Sequence, residues 1–144
     1  MEASPSVASQ SAQGPAASAA NLAIKIFGSD NKEAAVGPDG KRHDSYVPSN
    51  LSLKAGVPVT IQLQNMDEMM HSFTVPELGI NQMVPGGKDD APGVGTLTFT
   101  PTKTGTFHFL CTVPCDEHNN GWAMTPSDHG PAQDGFMAGH LTVS

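Results

Sequence analysis

The two cysteines of the chain stand four positions apart, in Cys111-Thr112-Val113-Pro114-Cys115. His118, Met124, His129 and Met137 follow in the same stretch, and Met70-His71-Ser72-Phe73 lies upstream. Thiolate, imidazole and thioether donors gathered in this way form a soft to borderline ligand set. Such a set suits copper cycling between Cu(I) and Cu(II), and two His, one Cys and a long axial Met make an electron-transfer site. Other chemistries compete for the same residues. A cysteine pair in an exported domain often closes a disulfide, although so short a loop gains little from one. Cys111, Cys115, His118 and His129 offer a zinc set, which leaves His71 and Met137 unexplained. No Ser-His-Asp spacing or paired-carboxylate motif stands out, and Pro85-Gly86-Gly87-Lys88 lacks the phosphate-loop pattern and reads as a turn.

Donors so far apart in sequence need a frame, and the chain supplies short β-type runs. Leu22–Phe27 is the first, and a long polar stretch from Gly28 to Asn50 follows, with one short strand near Tyr46. Leu51–Lys54 is brief. Val57–Gln64 alternates Val59, Ile61 and Leu63 against Thr60, Gln62 and Gln64, the pattern of a half-buried strand. Ser72–Val75, Gly95–Thr100, Thr106–Cys111 and His140–Val143 complete a set of about eight strands without a convincing helix. That count predicts an all-β antiparallel sandwich or barrel. In Phe107-His108-Phe109-Leu110-Cys111 the odd positions share a face. Phe107 and Phe109 are expected in the core, Cys111 at its rim and His108 on the outside. His43, in the polar stretch, is expected to be solvated, and His140 to point away from Met137.

The composition narrows the function. The chain has 144 residues and a formal charge of −7, so nucleic acid and acidic membranes are poor partners. Charged residues make up 15 %, against a usual ~25 %, while 15 Gly and 12 Pro argue against a helical bundle. No apolar run reaches the roughly 18–20 residues of a membrane span. Residues 1–20 are almost all Ala, Ser, Gln and Pro and read as a disordered leader or linker. They lack the basic start and apolar core of a secretory signal. A tether following a removed export signal or anchor fits them. Residues 21–144 then form one copper-binding domain.

The order of these pieces resembles the cupredoxins, the small blue-copper proteins. The resemblance rests on Asn65 through Met70-His71-Ser72-Phe73, on Gly105-Thr106-Phe107 leading to Cys111-Thr112-Val113-Pro114, and on Met137-Ala138-Gly139-His140-Leu141-Thr142-Val143. It implies a Greek-key β-sandwich with the metal at one end, and a role for Asn65 in tying the ligand loops together. Two features depart from the family. Cys111 and Met137 are 26 positions apart, so the loop between them is expanded. Cys115 makes the loop similar also to the dinuclear copper domain of oxidase subunit II, where two thiolates, two His, a Met and a backbone carbonyl hold two coppers. The His and Met of that motif would fall on Asn119 and Trp122 here.

The expected ligands are His71, Cys111, His118 and Met137. His118 is favoured because it follows Cys111 most closely, and Met137 because a strand follows it; His129 and Met124 are the rivals. With no acid, base or open position in evidence, the expected function is a mononuclear type 1 copper electron carrier rather than an enzyme. It would shuttle electrons between redox proteins, such as a cytochrome or terminal oxidase, in a periplasmic or extracellular respiratory chain. The alternatives are a dinuclear copper domain of an oxidase or reductase and a copper-storage module. Phe73, Trp122 and Phe136 are expected to form an apolar docking patch with an acidic rim of Asp116, Glu117, Asp128 and Asp134. The segment Asp116–Phe136 is expected to cap the metal.

Overall fold

The computed structural model describes residues 20–88, 91–116, 121–125 and 132–144. Among them, nine strands form two sheets: β1 (Ala20–Phe27), β2 (Ser45–Val47), β3 (Asn50–Leu53), β4 (Val59–Asn65), β5 (His71–Val75), β6 (Ile80–Val84), β7 (Gly93–Phe99), β8 (Gly105–Leu110) and β9 (Ala138–Val143). One sheet runs β2-β1-β4-β7 and the other β3-β9-β8-β5-β6. Their inner faces meet over Ile24, Ile26, Ile61, Leu63, Phe73, Val75, Phe109 and Leu141, all fully buried. The alternation of Val59, Ile61 and Leu63 puts one face of β4 in this core, as its period of two requires.

The all-β sandwich expected from the sequence is what forms, with two corrections. The sheets are mixed rather than antiparallel: β1 runs parallel to β4, and β3 parallel to β9. Alternating patterns reveal burial on one face, not the direction of the neighbour, so parallel pairs escape them. The ninth strand is β6, whose Asn81, Gln82 and Met83 weaken its apolar signature. It is an edge strand paired only with β5, and an edge tolerates such residues. Ala20, assigned to the leader, is the first residue of β1 and pairs with Val59; the rest of the leader lies outside the described residues. Among those described, no helix is long and apolar enough to cross a membrane.

This topology explains why distant donors meet. β8 lies between β9 and β5 and is antiparallel to both. The end of β8 at Leu110 therefore sits beside Ala138 at the start of β9 and Thr74 of β5, and the chain after it runs on past Ser72 toward the start of β5. His71 opens β5, Cys111 directly follows β8, and Met137 directly precedes β9. All three arrive at one end of one sheet. Below them, Tyr46, Phe73 and Phe109 stack as a buried aromatic cluster, with Tyr46 edge-on to Phe109 at 5.0 Å and Phe73 tilted on Phe109 at 4.6 Å. The Tyr46 hydroxyl donates to the Ser72 carbonyl, next to His71.

Gly139 in β9 lets this floor close. A Cβ there would overlap both the Ser49 carbonyl oxygen and the Phe109 ring. Gly139→Ala is therefore expected to destabilise the fold by about 1–3 kcal/mol, the usual cost of overpacking a core. Chemical denaturation checks this; an unchanged midpoint would show that β9 is free to shift.

Candidate metal centre

His71 and Cys111 are both fully buried, and His71 Nδ1 lies 3.8 Å from Cys111 Sγ. The other ring nitrogen, Nε2, is 2.8 Å from Asp67 Oδ2 and 4.0 Å from Asp44 Oδ2. A carboxylate on the far nitrogen fixes the tautomer and leaves Nδ1 to a metal, the usual outer support of a ligating histidine. Burial disfavours a charged His71, but the bonds to Asp67 and Cys111 prevail and raise its pKa to about 9. The same pairing holds Asp67 below the ordinary carboxylate range against the opposing effect of burial.

Cys115 turns into the same space. Its Sγ lies 3.1 Å from Cys111 Sγ, and 3.4 Å from both Met124 Sδ and Met137 Sδ. Both thiols are free, so the disulfide reading does not describe this state. The Val113 carbonyl oxygen lies close to both, 3.3 Å from Cys111 Sγ and 2.9 Å from Cys115 Sγ. The Cys115 thiol, by donating to Cys111, and the neighbouring His71 pull the Cys111 pKa below the ordinary thiol range; the same pairing pushes Cys115 up.

The supports of these ligands are local. The Cys111 amide donates to the Met137 carbonyl at 3.0 Å, which binds the end of β8 to the start of β9. Ser72 Oγ accepts the Thr112 amide at 2.9 Å and lies 3.1 Å from Thr112 Oγ1, joining the His71 strand to the cysteine loop. That joining role was expected of Asn65. Asn65 instead donates to the Met69 and Pro85 carbonyls and accepts the Asp67 amide, so it shapes the loop before His71.

Of the expected ligands, His71, Cys111 and Met137 are brought together. His118 and its rival His129 lie outside the described residues, as do Glu117 and Asp128 of the expected rim. Met124, weighed only as a rival to Met137, sits in the centre alongside it. Cys115 was read as a departure, yet its side chain is central. Three expectations about the surroundings are overturned. His43 is fully buried rather than solvated, Asp116 is 1 % exposed rather than on a rim, and Phe73 is in the core rather than on a docking surface. Phe107 is only partly buried. Polar loop composition suggested solvent, but here the polar groups satisfy one another. Of the expected cap, Trp122 and Phe136 are half-buried, packing edge-on to each other at 4.8 Å, with His43 tilted on Trp122 at 4.5 Å and edge-on to Phe136 at 5.8 Å.

Two thiols, an imidazole, two thioethers and a carbonyl form a set too soft for Mg or Ca and well suited to copper. Comparison with known proteins agrees. The cupredoxin-like domain family model matches residues 9–120. No curated protein matches the chain. Among solved structures, the metal-binding domain of the Cu(I)-exporting P-type ATPase CopA of Streptococcus pneumoniae superposes with a TM-score of 0.50 at 16 % identity, covering 92 % of this chain and 91 % of that one. Rusticyanin from Thiobacillus ferrooxidans gives a TM-score of 0.50 at 18 % identity, over 88 % and 77 % of the two chains. The periplasmic domain of cytochrome oxidase subunit II of Bradyrhizobium japonicum gives 0.47 at 22 %, over 85 % and 83 %. Identities this low speak to the fold alone. With that family match over most of its length and a buried His–Cys–Met donor set at the end of its sandwich, the chain belongs to the cupredoxin-like domain family, with copper as its metal.

Proposed function

We propose that the chain is a one-electron carrier whose copper centre takes both cysteines as ligands. The observation that carries this reading is the position of Cys115 Sγ, 3.1 Å from Cys111 Sγ and 3.4 Å from each of two thioethers. Met124 occupies the role that spacing had assigned to Trp122, and the Val113 carbonyl adds the backbone donor. When bound, copper supplies one-electron chemistry between Cu(I) and Cu(II). The residues supply a fixed geometry: Asp67 orients His71, the Met137 carbonyl anchors Cys111, and the closed core below keeps the ligands from moving between oxidation states. Sulfur donors suit the reduced form better than hard oxygen donors in the same places would, and so tune the potential. Among the described residues, the carboxylates nearest the centre are engaged with its own groups, Asp67 with His71 and Asp116 with His43, which supports a carrier over an enzyme.

A second reading keeps the mononuclear type 1 site of His71, Cys111, His118 and Met137. The facing of His71 Nδ1 on Cys111 favours it. Copper quantitation with electron paramagnetic resonance separates the two. Two coppers per chain, with an unpaired electron shared between two copper nuclei, is the outcome expected. One copper, with hyperfine structure from a single nucleus, would hand the site to the mononuclear set. In either case the proposed setting is a periplasmic or extracellular respiratory chain. The proposed partner is a cytochrome or terminal oxidase with a basic docking face, matched to the net charge of −7.

A further inference from the structure

Behind the sulfur donors lies a buried polar cluster that ligation alone does not require. Asp116 directly follows Cys115 and is the one described non-glycine residue with a positive φ, at 61°. Its amide donates to Asp44 Oδ2 at 2.7 Å, and its Oδ1 accepts the Asp44 amide at 3.0 Å. Its Oδ2 accepts from His43 Nδ1 at 2.8 Å and from the Ala123 amide at 2.8 Å. His43 in turn meets the Asp39 carboxylate through Nε2 at 3.0 Å. The Asp116 carbonyl also accepts the Gly121 amide at 2.8 Å, just before the 3-10 turn Trp122–Met124.

The placement is specific. Asp116 is the neighbour of Cys115, and Ala123 is the neighbour of Met124. One buried carboxylate thus fixes the peptides adjoining both members of the 3.4 Å sulfur pair. A buried ion pair is a poor source of stability compared with apolar packing, because desolvation offsets its attraction. What it supplies is a single geometry. We propose that Asp116, backed by His43, is a positioning residue of the copper centre, holding the Cys115 thiol against Cys111 and the Met124 thioether against Cys115. This rests on the reading in which Cys115 is a ligand.

Asp116→Asn and His43→Gln test it against wild type and Cys115→Ser. Asn tolerates the positive φ, and Gln removes the imidazole while leaving the carboxylate and its backbone donors. In the metal-free full chain, iodoacetamide labelling is read at each cysteine by peptide mass. In Asp116→Asn, Cys115 is expected to label about tenfold faster than in wild type, because its turn is released. After copper loading, the visible and resonance spectra of both variants are expected to move toward those of Cys115→Ser. Wild-type labelling and wild-type spectra in both variants, with cooperative unfolding retained, would overturn the proposal. Should Asp116→Asn not fold, His43→Gln decides by the same two readings. If Cys115→Ser itself keeps the wild-type copper count and spectrum, the two-thiolate reading fails. The labelling comparison then still decides whether Asp116 and His43 hold Cys115 in place.

Discussion

Cys111→Ser is expected to abolish the wild-type thiolate-to-copper absorption, leaving at most a weaker band from Cys115, and to weaken copper binding by far more than the ~10–100-fold typical of an outer-shell change. Three features place this effect above any other single substitution. Cys111 is fully buried at the junction of β8, β5 and β9, so its sulfur has no alternative direction. It is the sulfur that faces His71 Nδ1. Its thiol is pulled toward the thiolate by the Cys115 hydrogen bond and by His71, so a ready anionic donor is lost. Serine is close in size and keeps the amide bond to Met137, so the fold should survive. The check is a visible spectrum and copper count beside a far-UV spectrum of the same sample. Retention of the strong band would move the principal thiolate to Cys115.

The frame of this centre is legible in the chain because it obeys short periods. The alternation in Val59–Asn65 and in Phe107–Cys111 depends on side chains pointing to opposite faces, which sequence displays directly. That register placed Phe109 and Cys111 inward, and both are fully buried. His71, Cys111 and Met137 were legible because each adjoins a strand end. What escaped has a different physical cause. His43, Asp44 and Asp116 are all polar and all at least 95 % buried. They are buried because each satisfies another's donors and acceptors across 72 or 73 positions, and no local pattern signals such an arrangement. Cys115 follows from the same cause. It adjoins Asp116, whose positive φ and buried bonds to the Asp44 carboxylate and the Ala123 amide leave no mark in the local sequence. A clue was present in the run His43-Asp44, two polar groups immediately before the buried Ser45-Tyr46, since a polar pair entering a core needs partners.

Met137 and Met124 are equally close to Cys115, yet their substitution by leucine should give unequal results. Met137 is fully buried, its carbonyl is bonded to the Cys111 amide, and β9 begins at the next residue. Met124 is half-buried at the end of a single 3-10 turn, held in place chiefly through Ala123 and Asp116. A thioether on the rigid element keeps its distance to the metal in both oxidation states, whereas one on a short turn can yield. Leucine preserves volume and removes a weak donor that stabilises the oxidised metal more than an apolar methyl does. Met137→Leu is therefore expected to keep copper and colour while raising the reduction potential by about 60 mV or more, tenfold in the one-electron equilibrium. Met124→Leu should raise it by less, since the turn relaxes toward whatever donor remains. Redox titration of the two variants beside wild type measures both shifts. The reverse order, with Met124→Leu moving the potential and Met137→Leu leaving it, would make Met124 the principal thioether ligand and Met137 part of the packing beneath it.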